Sequence, residues 1–178
     1  MKKIIFTALL SIIGLVGVNA QSGIFEVGPY LGAPVGDADA LSFNTGATFA
    51  YYVNLAPKWQ LGGLIGVDHF FGKDYRWGNT TYEYEGATFI PLAATAKFQI
   101  TPQLFAGLDL GYAIGVSDGA GDGGFLARPR FGFSLPIVDL YGYYKAINYN
   151  WDGPGPGNPD WDDRYNVGSI GVGAAFKF

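Results

Sequence analysis

Apolar and polar residues alternate along most of this chain, and the alternation limits the folds that the chain can adopt. From Leu41 to Val53, one set of alternate residues reads Leu, Phe, Thr, Ala, Phe, Tyr, Val, and the other reads Ser, Asn, Gly, Thr, Ala, Tyr. Successive side chains of a β-strand point to opposite faces, so this period of two predicts strands rather than helices. The pattern favours a membrane-spanning β-barrel with its apolar face toward lipid. A secreted β-sandwich, whose apolar face would point into a core, is the alternative.

Eight segments share this alternation, and each is long enough to cross a bilayer, for which about 9–11 tilted residues suffice. The sequence therefore predicts an all-β fold, an eight-stranded antiparallel transmembrane β-barrel. The predicted strands cover residues 24–33, 41–53, 59–68, 81–98, 104–114, 125–135, 139–149 and 165–178.

The connections between these segments differ in length. Three are tight and contain a proline, at residues 54–58, 99–103 and 136–139. Proline suits a turn and cannot donate to a strand ladder. Short periplasmic turns opposite longer outer loops are typical of outer-membrane barrels, and this arrangement would place both chain ends in the periplasm. The longer predicted loops, which are acidic or rich in glycine, cover residues 34–40, 72–80, 116–124 and 150–164.

The first twenty residues differ from the rest of the chain. Lys2 and Lys3 precede an almost continuous apolar stretch from Ile4 to Val18, and the small residue Ala20 follows. This pattern predicts a cleaved signal peptide over residues 1–20 and a mature barrel domain over residues 21–178. A retained membrane anchor is the alternative, but the apolar part is short for one. The absence of cysteine excludes disulfides and thiolate metal sites, and the net charge of −4 gives no reason to expect nucleic-acid binding.

Charged residues occur at positions whose parity would turn them into the barrel. A narrow eight-stranded barrel is filled by its own side chains, and charges there are tolerable only when they are paired. The sequence therefore predicts a closed lumen filled by paired charges, with a polar conduit for ions as the alternative. The predicted acidic members are Glu26, Asp68, Glu83, Glu85 and Asp109, and the basic members are Lys97, Arg128, Arg130 and Lys145, with Lys177 as a further candidate.

Two further candidate sites are an acidic loop and the single histidine. The loop acids Asp152, Asp160, Asp162 and Asp163 could bind Ca²⁺ through oxygen atoms, but their spacing is not that of an EF-hand. A solvated loop, or one bridged to lipopolysaccharide by divalent ions, is favoured. His69 follows Asp68, and adjacent strand residues face opposite sides, so the pair is poorly placed for catalysis. We predict no catalytic residue, no metal site and no cofactor.

The last predicted strand alternates up to the final residue of the sequence. It resembles the C-terminal signal that the outer-membrane assembly machinery recognises in its barrel substrates. The residues that would face lipid in this assembly strand are Ile170, Val172, Ala174, Phe176 and Phe178.

Together, the leader, the eight alternating segments, the proline turns and the final aromatic strand resemble small outer-membrane barrels of the OmpX and OmpA membrane-domain type. The glycine- and tyrosine-rich composition also resembles the "porin family" barrels of Bacteroidetes. The resemblance implies a Gram-negative cell outer membrane, with lipids and lipopolysaccharide as partners. It also implies a non-enzymatic structural or cell-surface interaction role. An accessory subunit of a larger outer-membrane secretion or transport complex is the alternative, followed by a narrow channel or a lipid-modifying barrel enzyme.

Overall fold

The computed structural model describes residues 23–36, 41–77, 80–83, 86–150 and 164–178. Within these ranges the chain is almost entirely β-strand, and none of the described residues forms a helix long and apolar enough to cross a membrane. The strands are β1 (Gly23–Gly36), β2 (Leu41–Ala56), β3 (Trp59–Gly72), β4 (Asp74–Trp77), β5 (Thr80–Glu83), β6 (Ala87–Gln99), β7 (Leu104–Gly115), β8 (Gly123–Ser134), β9 (Val138–Asn150) and β10 (Arg164–Lys177).

Eight of these strands form one closed antiparallel barrel, which confirms the predicted fold class. The strands follow one another around the barrel in chain order, and β3 pairs directly with β6. The barrel closes where β1 pairs with β10, with Glu26 opposite Lys177 and Gly36 opposite Val167. Closure leaves no unpaired strand edge in this sheet, so backbone donors and acceptors are satisfied within the wall.

The predicted strand over residues 81–98 is wrong in its first part. The barrel strand β6 begins at Ala87, which pairs with Phe70 near the end of β3. β5 instead pairs with β4 in a separate two-stranded hairpin, in which Glu83 lies opposite Asp74.

The two ends of the barrel differ. One end, here called the turn end, carries the tight connections β2–β3, β6–β7 and β8–β9. Phe25 and Phe178 also exchange backbone hydrogen bonds there, at N···O distances of 3.2 and 2.9 Å. The other end, here called the loop end, carries the β4–β5 hairpin and a 3₁₀ turn at Asp118–Ala120 between β7 and β8. The predicted loose loop over residues 116–124 therefore contains a compact turn.

The alternation places apolar side chains on the outer wall and polar ones inside. Along β7, Leu108, Leu110 and Tyr112 are exposed, whereas Phe105 and Asp109 are fully buried. Outward-facing aromatic rings, of which Phe98 is half-buried, pack in pairs near both ends of the wall. Trp59 and Phe98 lie 4.8 Å apart (ring centroids) near the turn end, and Phe43 stacks on Phe71 at 4.2 Å near the loop end.

Candidate functional site

The most unusual feature of the molecule is its interior, which holds charged side chains in three layers along the barrel axis. The turn-end layer is built around Lys97 of β6, which forms salt bridges with Glu26 of β1 and with Asp139 of β9, the latter at 2.7 Å. Lys177 of β10 also contacts Asp139, at 2.8 Å, and Ser134 donates a hydrogen bond of 2.6 Å to the same carboxylate. This layer therefore joins five strands from around the barrel.

The central layer is organised by one carboxylate. Arg128 and Arg130 of β8 donate to opposite oxygens of Asp109 of β7, from Nε at 2.8 Å and from Nη2 at 2.9 Å respectively. Thr95 donates to Asp109, and Arg130 Nη2 also contacts the hydroxyl of Tyr52 at 2.9 Å. Asp109 is fully buried, so its charge depends on these donors in place of water.

The loop-end ionic layer pairs Asp68 of β3 with Lys145 of β9 in a salt bridge. Asn44 of β2 donates to the same carboxylate at 3.0 Å and also contacts the hydroxyl of Tyr143 at 3.5 Å. All of these charged and polar groups except Tyr143 are less than 3% exposed. In all three layers, side chains that pair with one another fill the space that water would occupy in an open pore.

Aromatic rings support the buried cations from the side. Lys97 Nζ lies 4.6 Å from the ring centroid of Tyr52, and Lys145 Nζ lies 4.6 Å from that of Phe70. The guanidinium carbons of Arg128 and Arg130 lie 5.2 Å from Tyr30 and 5.4 Å from Tyr141, respectively. Such contacts stabilise a desolvated cation by about 2 kcal/mol, so the tyrosine-rich composition contributes to the interior as well as to the wall.

Two inward glycines make room for these rings. A Cβ atom added at Gly46 would lie 2.4 Å from the hydroxyl of Tyr30, and one added at Gly173 would lie 2.5 Å from the ring of Tyr141. Distances this short are not compatible with any larger residue unless the ring moves. The glycines on the inner face are therefore needed by the side chains that fill the barrel.

An apolar layer covers the ionic layers at the loop end. Phe70 and Phe89 meet edge to face, with ring centroids 5.9 Å apart, and neither is accessible to solvent. Ala120 of the 3₁₀ turn is also fully buried, and Val116 donates a backbone hydrogen bond of 3.0 Å to Thr88. The other buried members of this layer are Ala87, Ala113, Leu126, Ile147 and Val167.

Comparison with known proteins identifies a fold and no family. No protein-family model and no curated protein matches this chain. Among solved structures, Ail, the attachment invasion locus protein of Yersinia pestis, superposes with a TM-score of 0.53 and 14% identity over 88% of this chain and 97% of Ail. A de novo designed transmembrane β-barrel superposes with a TM-score of 0.51 and 12% identity over 89% of this chain and 98% of the design. The likeness is one of fold.

The structure places most of the candidate charged residues inside this barrel, and it adds one that the sequence reasoning missed. Asp139 stood at the boundary between the predicted turn 136–139 and the predicted strand 139–149 and was not counted among the inward charges, but it is the first inward residue of β9 and binds both Lys97 and Lys177. Asp139 lies at alternate positions with Tyr141, Tyr143 and Lys145, which are all buried, and this alternation could have predicted that its carboxylate faces the lumen. Glu83 belongs to the β4–β5 hairpin and not to the barrel sheet, and Glu85 lies outside the described residues.

His69 and Asp68 point in different directions, as expected for neighbours on a strand. Asp68 is buried in the lumen, whereas His69 Nδ1 lies 2.8 Å from the hydroxyl of Thr88 and its ring meets the edge of Phe71. Among the described residues, no group of three or more His, Cys, Asp or Glu side chains is arranged to hold a metal ion. The acidic loop with Asp152, Asp160, Asp162 and Asp163 lies outside the described residues.

In the assembly strand, the outward residues are exposed on the barrel wall, except for Ala174, which is half-buried. They follow the parity of β10, whose inward neighbours Ala175 and Ser169 are buried. The exposed outward residues are Ile170, Val172, Phe176 and Phe178.

Proposed function

We propose that this chain is an integral outer-membrane barrel of a Gram-negative envelope, with a closed lumen and a structural or cell-surface interaction role. The observation that carries the proposal is the reversal of polarity between wall and interior. Large apolar side chains are exposed on the outside of every barrel strand, while charged side chains are buried inside. A bilayer is the solvent that suits such a wall, because soluble proteins rarely expose contiguous apolar patches larger than a few hundred Å².

The aromatic pairs at both ends of the wall support a membrane setting. Trp59 and Phe98 lie near the turn end, and Phe43 and Phe71 lie near the loop end. Aromatic side chains, Trp and Tyr above all, are enriched at the two membrane–water interfaces, where transmembrane barrels carry aromatic girdles. We place the turn end in the periplasm and the loop end outside the cell, because short turns and long loops are distributed in this way in such barrels.

The filled interior favours an interaction role over transport. A solute would have to break three layers of buried ion pairs and then pass the apolar layer around Phe70 and Phe89. Breaking one buried pair costs about 3–5 kcal/mol, so spontaneous opening of all layers together would be rare. With the lumen closed, recognition of a partner would involve the segments at the loop end of the barrel. In the part of the chain that the structure describes, the interior offers no base and nucleophile open to a substrate, so we propose a non-enzymatic role.

Three further proposals concern export and partners. We propose that residues 1–20 are a cleaved signal and that residues 21–178 form the mature domain. We propose that the assembly machinery recognises β10, whose outward side chains Ile170, Val172 and Phe176 are exposed. Outer-membrane lipid and lipopolysaccharide are the expected partners of the wall and of the acidic loop.

The membrane setting can be tested with one outward residue. Leu110 lies midway along β7 and is 43% exposed, so Leu110→Arg places a charge near the bilayer midplane. We expect the free energy of unfolding in lipid vesicles to fall by about 2–4 kcal/mol, measured by urea titration. Leu55→Arg, at the turn end of β2 and 68% exposed, is the matched control, with an expected loss of about 0–1 kcal/mol. Equal effects of the two substitutions would contradict a membrane-spanning wall.

The interaction role can be separated from an accessory role by purification from the native membrane in a mild detergent. Recovery of the barrel without a stoichiometric protein partner supports the structural or surface role. Recovery of one large barrel protein in constant ratio would instead identify the chain as an accessory subunit of a secretion or transport complex.

A further inference from the structure

The central ionic layer carries more positive than negative charge. Asp109 is the one carboxylate in contact with Arg128 and Arg130 among the residues that the structure describes. The other two layers are balanced, with two acids and two bases at the turn end and one of each at the loop end. One cationic charge is therefore left without a counter-charge at a place that is closed to solvent.

Unused hydrogen-bond donors accompany this surplus. Arg128 Nη2 and Arg130 Nε are buried and have no hydrogen-bond partner among the described residues, and the same is true of the hydroxyl of Tyr30. The guanidinium carbon of Arg128 lies 5.2 Å from the ring centroid of Tyr30, so the ring packs beside this cation and does not neutralise it. Lys145 Nζ lies 5.1 Å from the centroid of the same ring, but its charge is already paired with Asp68.

Buried polar groups are almost always satisfied, and a buried charge is stable only when it is paired. A water molecule could accept hydrogen bonds from Arg128 and Tyr30, but it would leave the surplus charge in place. A small anion would satisfy the donors and the charge together. Arg128, Asp109 and Thr95 in this layer are at most 2% exposed, so the ligand must be compact.

We infer that the central ionic layer binds one small monovalent anion of the halide class at the unpaired Nη2 of Arg128. The anion completes the central layer as a structural counter-ion. This inference depends on the interior alone and does not require the outer-membrane role proposed above.

Crystals of the full barrel grown in sodium bromide test the site directly, because bromide gives an anomalous signal that water does not. We expect one anomalous peak within hydrogen-bonding distance of Arg128 Nη2. The peak should disappear in Arg128→Gln, which makes the layer neutral, and should remain in Lys177→Gln, which removes a charge from the turn-end layer. Water density without an anomalous peak in the wild-type protein, or a peak that persists in Arg128→Gln, would overturn the inference.

A second measurement keeps the inference testable if Arg128→Gln does not fold. A ligand that binds only the folded state stabilises the folded protein. At ligand concentrations above the dissociation constant, this stabilisation grows with the logarithm of the ligand concentration. The wild-type barrel should therefore unfold at a higher temperature in sodium chloride than in sodium gluconate of the same concentration, because gluconate is too large for the site. Lys177→Gln should keep this difference. Equal unfolding temperatures of the wild-type barrel in the two salts would overturn the inference.

Discussion

Asp109→Ala is expected to lower the free energy of unfolding by about 3–5 kcal/mol, because it leaves two buried guanidinium groups without their carboxylate. Arg128 and Arg130 both donate to Asp109, at 2.8 and 2.9 Å, and both are buried. The loss is larger than a surface ion pair would give, since exposed pairs contribute only about 0–1 kcal/mol. Urea unfolding in lipid vesicles, followed by circular dichroism, measures the change.

Asp122→Ala is the matched control, because Asp122 is an exposed carboxylate next to β8 and its removal should change stability by less than about 0.5 kcal/mol. A triple variant, Asp109→Leu with Arg128→Leu and Arg130→Met, removes the whole cluster. Replacing a complete buried ion cluster by apolar residues is often neutral or stabilising, so the triple variant should regain most of the loss. A single Asp109→Ala variant as stable as Asp122→Ala would contradict the paired interior.

The combined substitution Phe70→Ala and Phe89→Ala is expected to expose Lys145 from the loop end. In the wild-type protein Lys145 lies beneath this apolar layer, with Nζ 4.6 Å from the ring centroid of Phe70 and almost no exposed surface. Each Phe→Ala change removes about 3–5 kcal/mol of packing. Since 1.4 kcal/mol is a factor of ten, we expect a water-soluble amine reagent to modify Lys145 at least about 100-fold faster. Peptide mass spectrometry of vesicle-embedded protein measures the rate.

Phe131→Ala with Phe133→Ala makes the same chemical change on the outer wall, where both rings are more than half exposed, and should leave Lys145 protected. Lys73, which is exposed at the loop end, serves as the internal standard and should react equally in all variants. Rapid modification of Lys145 in the wild-type protein would contradict an apolar seal, and so would protection of Lys145 in the Phe70→Ala, Phe89→Ala variant.

The wall of this barrel could be predicted from the sequence because a period of two is a local property. The parity that turns Leu110 outward turns Asp109 inward, and no knowledge of the partner strands is needed for either assignment. Strand ends were less predictable, since they depend on whether a neighbour is available. The alternation continues through Glu83 and Glu85, yet the barrel strand begins only at Ala87, because residues 80–83 pair with β4 in a separate hairpin.

The partners inside the lumen could not be predicted from the sequence. Lys97 binds Glu26 and Asp139, which are 71 and 42 residues away along the chain, and closure of the barrel brings them together. The register between β1 and β10 decides that Glu26 lies opposite Lys177, and the sequence pattern does not specify this register. The alternation along each strand indicates which charged residues face the lumen. Only the register and closure of the barrel determine which of them form ion pairs.

The central claim is that this barrel is closed, with paired charges and an apolar layer where a pore would otherwise be. Single-channel recording of the purified full-length protein in planar lipid bilayers tests the claim most directly. The expected result is an undisturbed baseline, because passage would have to separate the salt bridges of Lys97, Asp109 and Lys145 together. Reproducible, long-lived conductance steps of the size that open porins give would contradict it.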